Sequence, residues 1–163
     1  MVLTLILSLI MMAGLFLLLF SVVAFIQDKR FFKSAPKDIF DAIKPHEERF
    51  KGAHIVGWIL FAAALILLIG PIACAIYDGI KNKFDYGSLF ARLLLMLLLL
   101  EIFDILFFDL FLLCHSSFYQ HYYPETKGCD GFHSFGFNRK SHILTFVFCF
   151  VIASLLSLIT LIF

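Results

Sequence analysis

Asp, Glu, Lys and Arg are absent from residues 3–26, 54–77 and 142–163, although the chain carries 13 Lys and Arg and 12 Asp and Glu in all. A helix needs about 20 uncharged, apolar residues to cross a hydrocarbon core of about 30 Å. Soluble domains, with roughly 45–50% apolar residues, do not supply such stretches repeatedly. This chain is 62% hydrophobic, with 22 Phe and a single Trp, so an ordinary soluble domain is excluded. No Lys or Arg precedes the first stretch, and Gln27-Asp28-Lys29-Arg30 follows it. A cleaved leader would show the opposite pattern around a shorter apolar core, so this stretch is expected to be a retained helix.

Cysteine is also sparse, and no two of the four have the C-x-x-C spacing of a redox or zinc site. Cys74, Cys114 and Cys149 fall in apolar stretches. Cys129 falls in a loop expected to face a reducing compartment, so no disulfide framework is expected. The basic and aromatic constellation of a nucleic-acid module is missing, and the net charge of +1 adds no reason to expect a nucleic-acid partner. Neither an internal repeat nor the inverted repeat of secondary transporters is present.

What the chain does have is a fourth apolar stretch, residues 88–114, and this one holds charge. Glu101, Asp104 and Asp109 lie inside it, and Arg92 lies near its start. The expected fold is all-α: an integral membrane protein forming one domain over residues 1–163, a compact bundle of four transmembrane helices (about 3–26, 54–77, 88–114 and 142–163). The lipid bilayer is its first partner.

Orientation follows from the loops. Lys29, Arg30, Lys33, Lys37, Lys44, Arg49 and Lys51 precede the second stretch, and Lys127, Arg139 and Lys140 precede the fourth. With four crossings these basic residues share one face, which the positive-inside rule makes cytoplasmic. Loops 28–53 and 116–141 are then cytoplasmic and both termini outside. Phe- and Lys-rich usage fits an AT-rich bacterial genome, and hence a bacterial inner membrane.

Within the first loop, Ser34 is placed to cap a short helix with Pro36 in its first turn. Ile39, Phe40 and Ile43 share one face of that helix and Lys37, Asp38, Asp41 and Lys44 the other, the pattern of an amphipathic helix lying in the headgroup region. The second loop is rich in aromatics (Phe118, Tyr119, Tyr122, Tyr123, Phe132, Phe135 and Phe137) and is punctuated by Pro124, Gly128, Gly131 and Gly136. It is expected to turn rather than form a long helix, and to fold over the end of the bundle. Helix two is rich in Gly and Ala, which lets a neighbouring helix approach closely.

The candidate site is the acidic stripe. Placing a carboxyl at mid-membrane costs about 2.5–3.5 kcal/mol on insertion scales, so such groups face a protein interior or a watery cavity. Glu101 and Asp104, three residues apart, share a stripe. At about 100° per residue, Asp109 falls roughly 80° from Glu101 and 140° from Asp104, so it is expected to meet a different neighbour. Arg92, on the other side of the helix, is expected to snorkel to the outer surface. The carboxyls could bind a cation, relay protons, or hold the bundle together by hydrogen bonds. The expected function is non-enzymatic: a small membrane protein that binds or passes a small ion or proton, alone or as a subunit of a homo- or hetero-oligomer, and no motif in it predicts a cofactor. The alternative is a membrane enzyme or metal- or haem-binding protein. Its candidate ligands are His54, His115 and His142, which begin or end three stretches at similar depth.

Overall fold

The computed structural model describes residues 1–162; Phe163, the expected end of the fourth stretch, lies outside them. The described residues form helices and connecting turns and contain no strand. Helix α1 is Val2–Ser21, continued by a π-helical turn at Val22–Ile26. A short α2 (Lys37–Ala42) precedes α3 (Ala53–Lys81). Helix α4 (Tyr86–Phe103) runs on as a π-helix over Asp104–Cys114. The small α5 (Phe118–Tyr122) lies in the second loop, and α6 (Arg139–Ser157) ends the fold with a 3-10 turn at Leu158–Leu161.

Three helices are long and apolar enough to cross a membrane: Val2–Ile26, Ala53–Lys81 and Arg139–Thr160. Their outward faces are apolar, with Ile55, Ile59, Ile66 and Ile69 exposed on α3 and Ile143, Val147, Val151 and Leu155 on α6. Unbroken apolar faces of this kind suit lipid. Helix α4, with its charges, is not among the three.

Small residues set the packing of α1 on α3. A Cβ added at Gly14 would lie 2.8 Å from Leu67 Cβ and 3.2 Å from the Ala64 carbonyl oxygen. One added at Gly57 would lie 2.8 Å from Ile26 Cγ1 and 2.9 Å from Phe25 Cβ. Backbones this close gain dispersion contacts, the main attraction left to helices in lipid. Helix α6 packs chiefly on α4, and α4 also touches α1.

The core falls into two clusters. Leu7, Met11, Ala75, Leu89, Leu93, Met96 and Ala153 fill the end of the bundle near the α3–α4 connection. Val22, Val23, Ile26, Phe32, Ile39, Ile43, Tyr123 and Phe132 fill the other end, under the two long loops.

The second loop does fold over that end, with Tyr123 and Phe132 buried. Phe135 and Phe137, however, are about half exposed at 55% and 48%. The chain turns there rather than extending: Gly136 has φ +82° and the Phe137 N–H donates to the Ser134 carbonyl at 3.1 Å. The short helix of the first loop also departs from expectation. Pro36 itself takes its N-cap position and Ser34 makes no cap. Its apolar face is covered by the second loop, not left to headgroups, because Ile39 and Ile43 pack with Tyr123 and Phe132.

Two polar latches fix this docking. Asp38 Oδ2 accepts the Gly131 N–H at 2.8 Å. Glu125 Oε1 accepts the Lys44 N–H at 3.1 Å and lies 2.8 Å from His46 Nε2. Burial raises the Glu125 carboxyl, but the hydrogen bonds from His46 and the backbone outweigh it and hold the group below its ordinary pKa.

Candidate functional site

The stripe on α4 becomes a site because the helix changes its hydrogen-bond register at Asp104. From there to Cys114 the backbone pairs i to i+5, widening the turn. Residue 109 then comes round above residue 104, instead of falling away from it as an α-helix would require. The expectation that Asp109 meets a different neighbour from Glu101 is therefore corrected: both contact the same imidazole.

That imidazole is His142, in the first turn of α6. Its Nδ1 lies 2.7 Å from Glu101 Oε1, and its Nε2 lies 2.8 Å from Asp109 Oδ2. Asp104 Oδ2 stands 3.8 Å from Nδ1, too far to hydrogen-bond but close enough to act on its charge. The cluster is well enclosed. Glu101 and His142 side chains are 8% and 12% exposed, Asp109 is 16% and Asp104 is 35%.

Proton counting follows from this geometry. Two hydrogen bonds need two protons shared among Glu101, His142 and Asp109. An imidazolium can donate to both carboxylates. Alternatively, a neutral imidazole donates to one and accepts from the other, which is then a carboxylic acid. The net charge is −1 either way. Moving a proton from Glu101 through the ring to Asp109 thus changes no charge on the triad and costs no new desolvation.

Asp109 also faces outward from the cluster. It lines a partly open cavity of about 110 Å³ between the end of α1, α2 and the second loop, with Tyr119 and Tyr123 on the walls. Burial pushes the Tyr119 phenol well above its ordinary pKa, and the charges of Asp109 and Asp104 add to the effect. The Tyr123 hydroxyl is buried with no hydrogen-bond partner.

The three candidate histidines do not form a ring. His54 Nδ1 stands 3.2 Å from Glu48 Oε1 at the surface. His115 Nδ1 contacts the Leu110 carbonyl oxygen at 2.7 Å, one turn back on its own helix. Only His142 joins the acids, and among the described residues the one group whose ligand atoms suit a metal is Glu101, Asp104 and His142, all within 4.8 Å of one another. Arg92 does not snorkel. Its side chain is 10% exposed and pairs with Asp78 of α3 at 2.5 Å, while its guanidinium lies 4.7 Å from the Phe84 ring centroid. All four cysteines are free.

The partnership of His142 with the acids is what the sequence left hidden. Its one signal was a lone ionisable residue at the head of an otherwise uncharged stretch. No protein family, curated protein or solved structure matches this chain. The class it falls in is an all-helical chain with three helices able to cross a membrane.

Proposed function

We propose that the chain is a four-span integral membrane protein that binds and passes a proton or small cation through the Glu101–His142–Asp109 relay, without enzymatic activity. The observation that carries this reading is the bridging ring of His142, held by carboxyls on both of its nitrogens. A group fixed to tie two helices together needs only one such bond. A ring bonded on both sides can take a proton on one nitrogen and release one from the other.

Helix α4 is read as the fourth crossing because the two long loops touch. Loop 28–53 follows α1 and loop 116–141 follows α4, and they are latched through Asp38–Gly131 and His46–Glu125. With α3 crossing back from the side of the first loop, a crossing by α4 returns the chain to that side, and the contact between the loops supports it. The ten basic residues of this face support a cytoplasmic location for it, with both termini outside.

The test is flux. The purified protein in liposomes carrying an internal pH-sensitive dye should dissipate an imposed proton gradient. Glu101→Gln and His142→Asn should each reduce that flux at least about tenfold at equal protein yield, as loss of a relay member does. Unchanged flux in both variants would overturn the reading.

A second reading rests on one further observation, the convergence of Glu101, Asp104 and His142. These could hold a divalent transition metal through two carboxylate oxygens and Nδ1, with Asp109 fixing the ring through Nε2–H, as carboxylates behind metal-bound histidines do. Elemental analysis of the purified protein separates the readings: stoichiometric zinc, iron or manganese, lost in His142→Asn, favours the metal.

A further inference from the structure

We infer that the turn Phe135–Lys140 is a docking surface for the headgroup of an anionic phospholipid, with Phe135 and Phe137 set into the leaflet beside it. The inference rests on the reading of α6 as a membrane crossing, and not on the relay.

Helix length gives the depth. From Arg139 to Thr160 the apolar helix has 22 residues, about 33 Å at 1.5 Å each, against a hydrocarbon core of about 30 Å. Arg139 and Lys140 therefore fall at the boundary where lipid phosphates lie. Ile143, Leu144, Val147 and Val151 are exposed and form the lipid-facing stripe of α6. The two cations stand four residues before Ile143 and Leu144, so they carry that stripe on into the headgroup region.

These cations are also free. Both are exposed, and neither forms an ion pair among the described residues. Other basic groups are already engaged: Arg30 pairs with Asp28, Arg92 pairs with Asp78, Lys29 donates to the Ile43 carbonyl, and Arg49 lies over the Tyr122 ring. Residues 131–145 contain no Asp or Glu to neutralise Arg139 and Lys140. The nearby carboxyls of Glu101 and Asp109 are turned to His142, and that of Asp38 holds the Gly131 N–H.

The two rings are the independent observation. Tyr123 and Phe132 of the same loop are buried, yet Phe135 and Phe137 stay about half open. A turn fixes them there, with Gly136 at φ +82° and the Phe137 N–H donating to the Ser134 carbonyl. The turn runs straight into α6, because the Arg139 N–H donates to the Gly136 carbonyl at 3.1 Å. In water, two open phenyl rings cost free energy. At the edge of a leaflet the rings enter acyl chain while the cations beside them meet phosphate, and apolar and basic anchors together hold a surface that neither holds alone. Charge decides which lipid. A phosphatidylcholine headgroup brings its own cation, whereas an anionic headgroup leaves the phosphate charge to Arg139 and Lys140.

The experiment uses the full chain with Phe137→Trp in a Trp58→Phe background, so that one indole reports from the turn. It is reconstituted in vesicles of phosphatidylcholine and phosphatidylglycerol, with the acyl chains of one lipid or the other brominated, which quenches only an indole in contact. Phosphatidylglycerol should be preferred at the indole by at least about fivefold, as cations at an anionic headgroup predict. Arg139→Gln combined with Lys140→Gln should bring the ratio near one, with quenching by both lipids retained. Quenching without preference, a preference that survives the double variant, or no quenching by either lipid, as when a protein partner covers the turn, would each overturn the inference. Loss of the preference on adding inorganic phosphate at constant ionic strength would assign the cations to a soluble anion and overturn it too. Flotation and proton flux of the same vesicles separate the readings. A chain that floats and conducts without lipid preference sinks only this inference. Lipid preference without flux sinks only the relay, and a chain that does not float with the vesicles sinks the membrane crossing and this inference with it.

Discussion

Asp109 reaches His142 Nε2 at 2.8 Å although it lies on a helix whose α-helical continuation would have turned it away. The register change at Asp104 therefore builds the site. It also couples Glu101 to Asp109 through the ring, so the two carboxyls should not behave independently. In a double-mutant cycle with Glu101→Gln and Asp109→Asn, unfolding in mild detergent should give a coupling energy of about 1–3 kcal/mol, as groups in one network do. Asp104→Asn, at 3.8 Å from the ring and one-third open, should couple more weakly with Glu101→Gln. Strict additivity of the first pair would mean that the ring does not join them.

Much of this architecture was legible in the sequence, and the illegible parts have specific causes. Residues 3–26, 54–77 and 142–163 read as helices because uncharged apolar runs of that length have few other outcomes. The Gly and Ala of residues 54–77 foretell the close approach of α3 to α1, realised at Gly57 and Ala64. The position of Asp109 was not legible, since nothing in D-I-L-F-F-D announces a π-helix and the angular arithmetic assumed an α-helix. Glu101 falls near the middle of its apolar run, yet it touches a side chain from the first turn of α6, a relation fixed by how two helices slide past each other and not by either run alone. Arg92 was read from one helix only, and its partner Asp78 sits on another. The aromatics of the second loop foretold burial, but only turn geometry decides that Tyr123 and Phe132 go inward while Phe135 and Phe137 stay half out.

The docking of the second loop depends on Gly131. A Cβ there would lie 2.5 Å from Asp38 Oδ1 and 2.6 Å from Pro36 Cβ. The space is closed on one side by a ring fixed in the backbone, so Gly131→Ala should lift the loop at a cost of about 1–3 kcal/mol, the usual range for overpacking. Trypsin cutting after the exposed Lys127 reads this directly: cleavage should be faster in Gly131→Ala than in the parent chain. Equal cleavage rates would mean that the contact is not what holds the loop.

The second latch should be sensitive to acid. The folded pKa of Glu125 lies below its ordinary value of 4.5. A carboxyl shifted down contributes stability that is fully present above its unfolded pKa and is lost as pH falls through the folded one. Hydrogen exchange of amides 125–133 should therefore accelerate as pH falls below about 4.5, beyond the chemical pH dependence of exchange itself. Glu125→Gln should show raised exchange already at neutral pH and lack that acid-induced step. An unchanged step in the variant would assign the transition to another group.

At the opposite end, Arg92 ties α4 to α3. Asp78 also accepts from Asn82 Nδ2 at 2.9 Å, so it is held in place for the guanidinium. Removing one partner of a fully buried ion pair costs about 3–5 kcal/mol. Because Asp78 is 27% open to its surroundings, Arg92→Met should cost less, about 1–3 kcal/mol. Adding Asp78→Asn should recover part of the loss by removing the stranded charge. Thermal unfolding of the two variants checks this, and no recovery in the double variant would show that packing over Phe84, not charge, is the greater part of the contact.

The topology is open to the most direct check, and two independent arguments bear on it. The basic residues of loops 28–53 and 116–141 ask for one common face, by a rule about insertion. The latches between the same loops ask for one common face too, by contact alone. A crossing by α4 would bring Gly131 and Asp38 to one face, as their hydrogen bond asks. Reporter fusions after Lys51 and after Lys127 should both report cytoplasm, and a fusion after Asn82 should report the outside. Single-cysteine labelling in a variant lacking Cys74, Cys114, Cys129 and Cys149 offers the same test without truncating the bundle: a cysteine at Asn82 should react with an impermeant reagent in intact cells, and one at Lys127 only after permeabilisation. Opposite sides for Lys51 and Lys127 would remove the fourth crossing, and with it the placement of the relay inside the membrane.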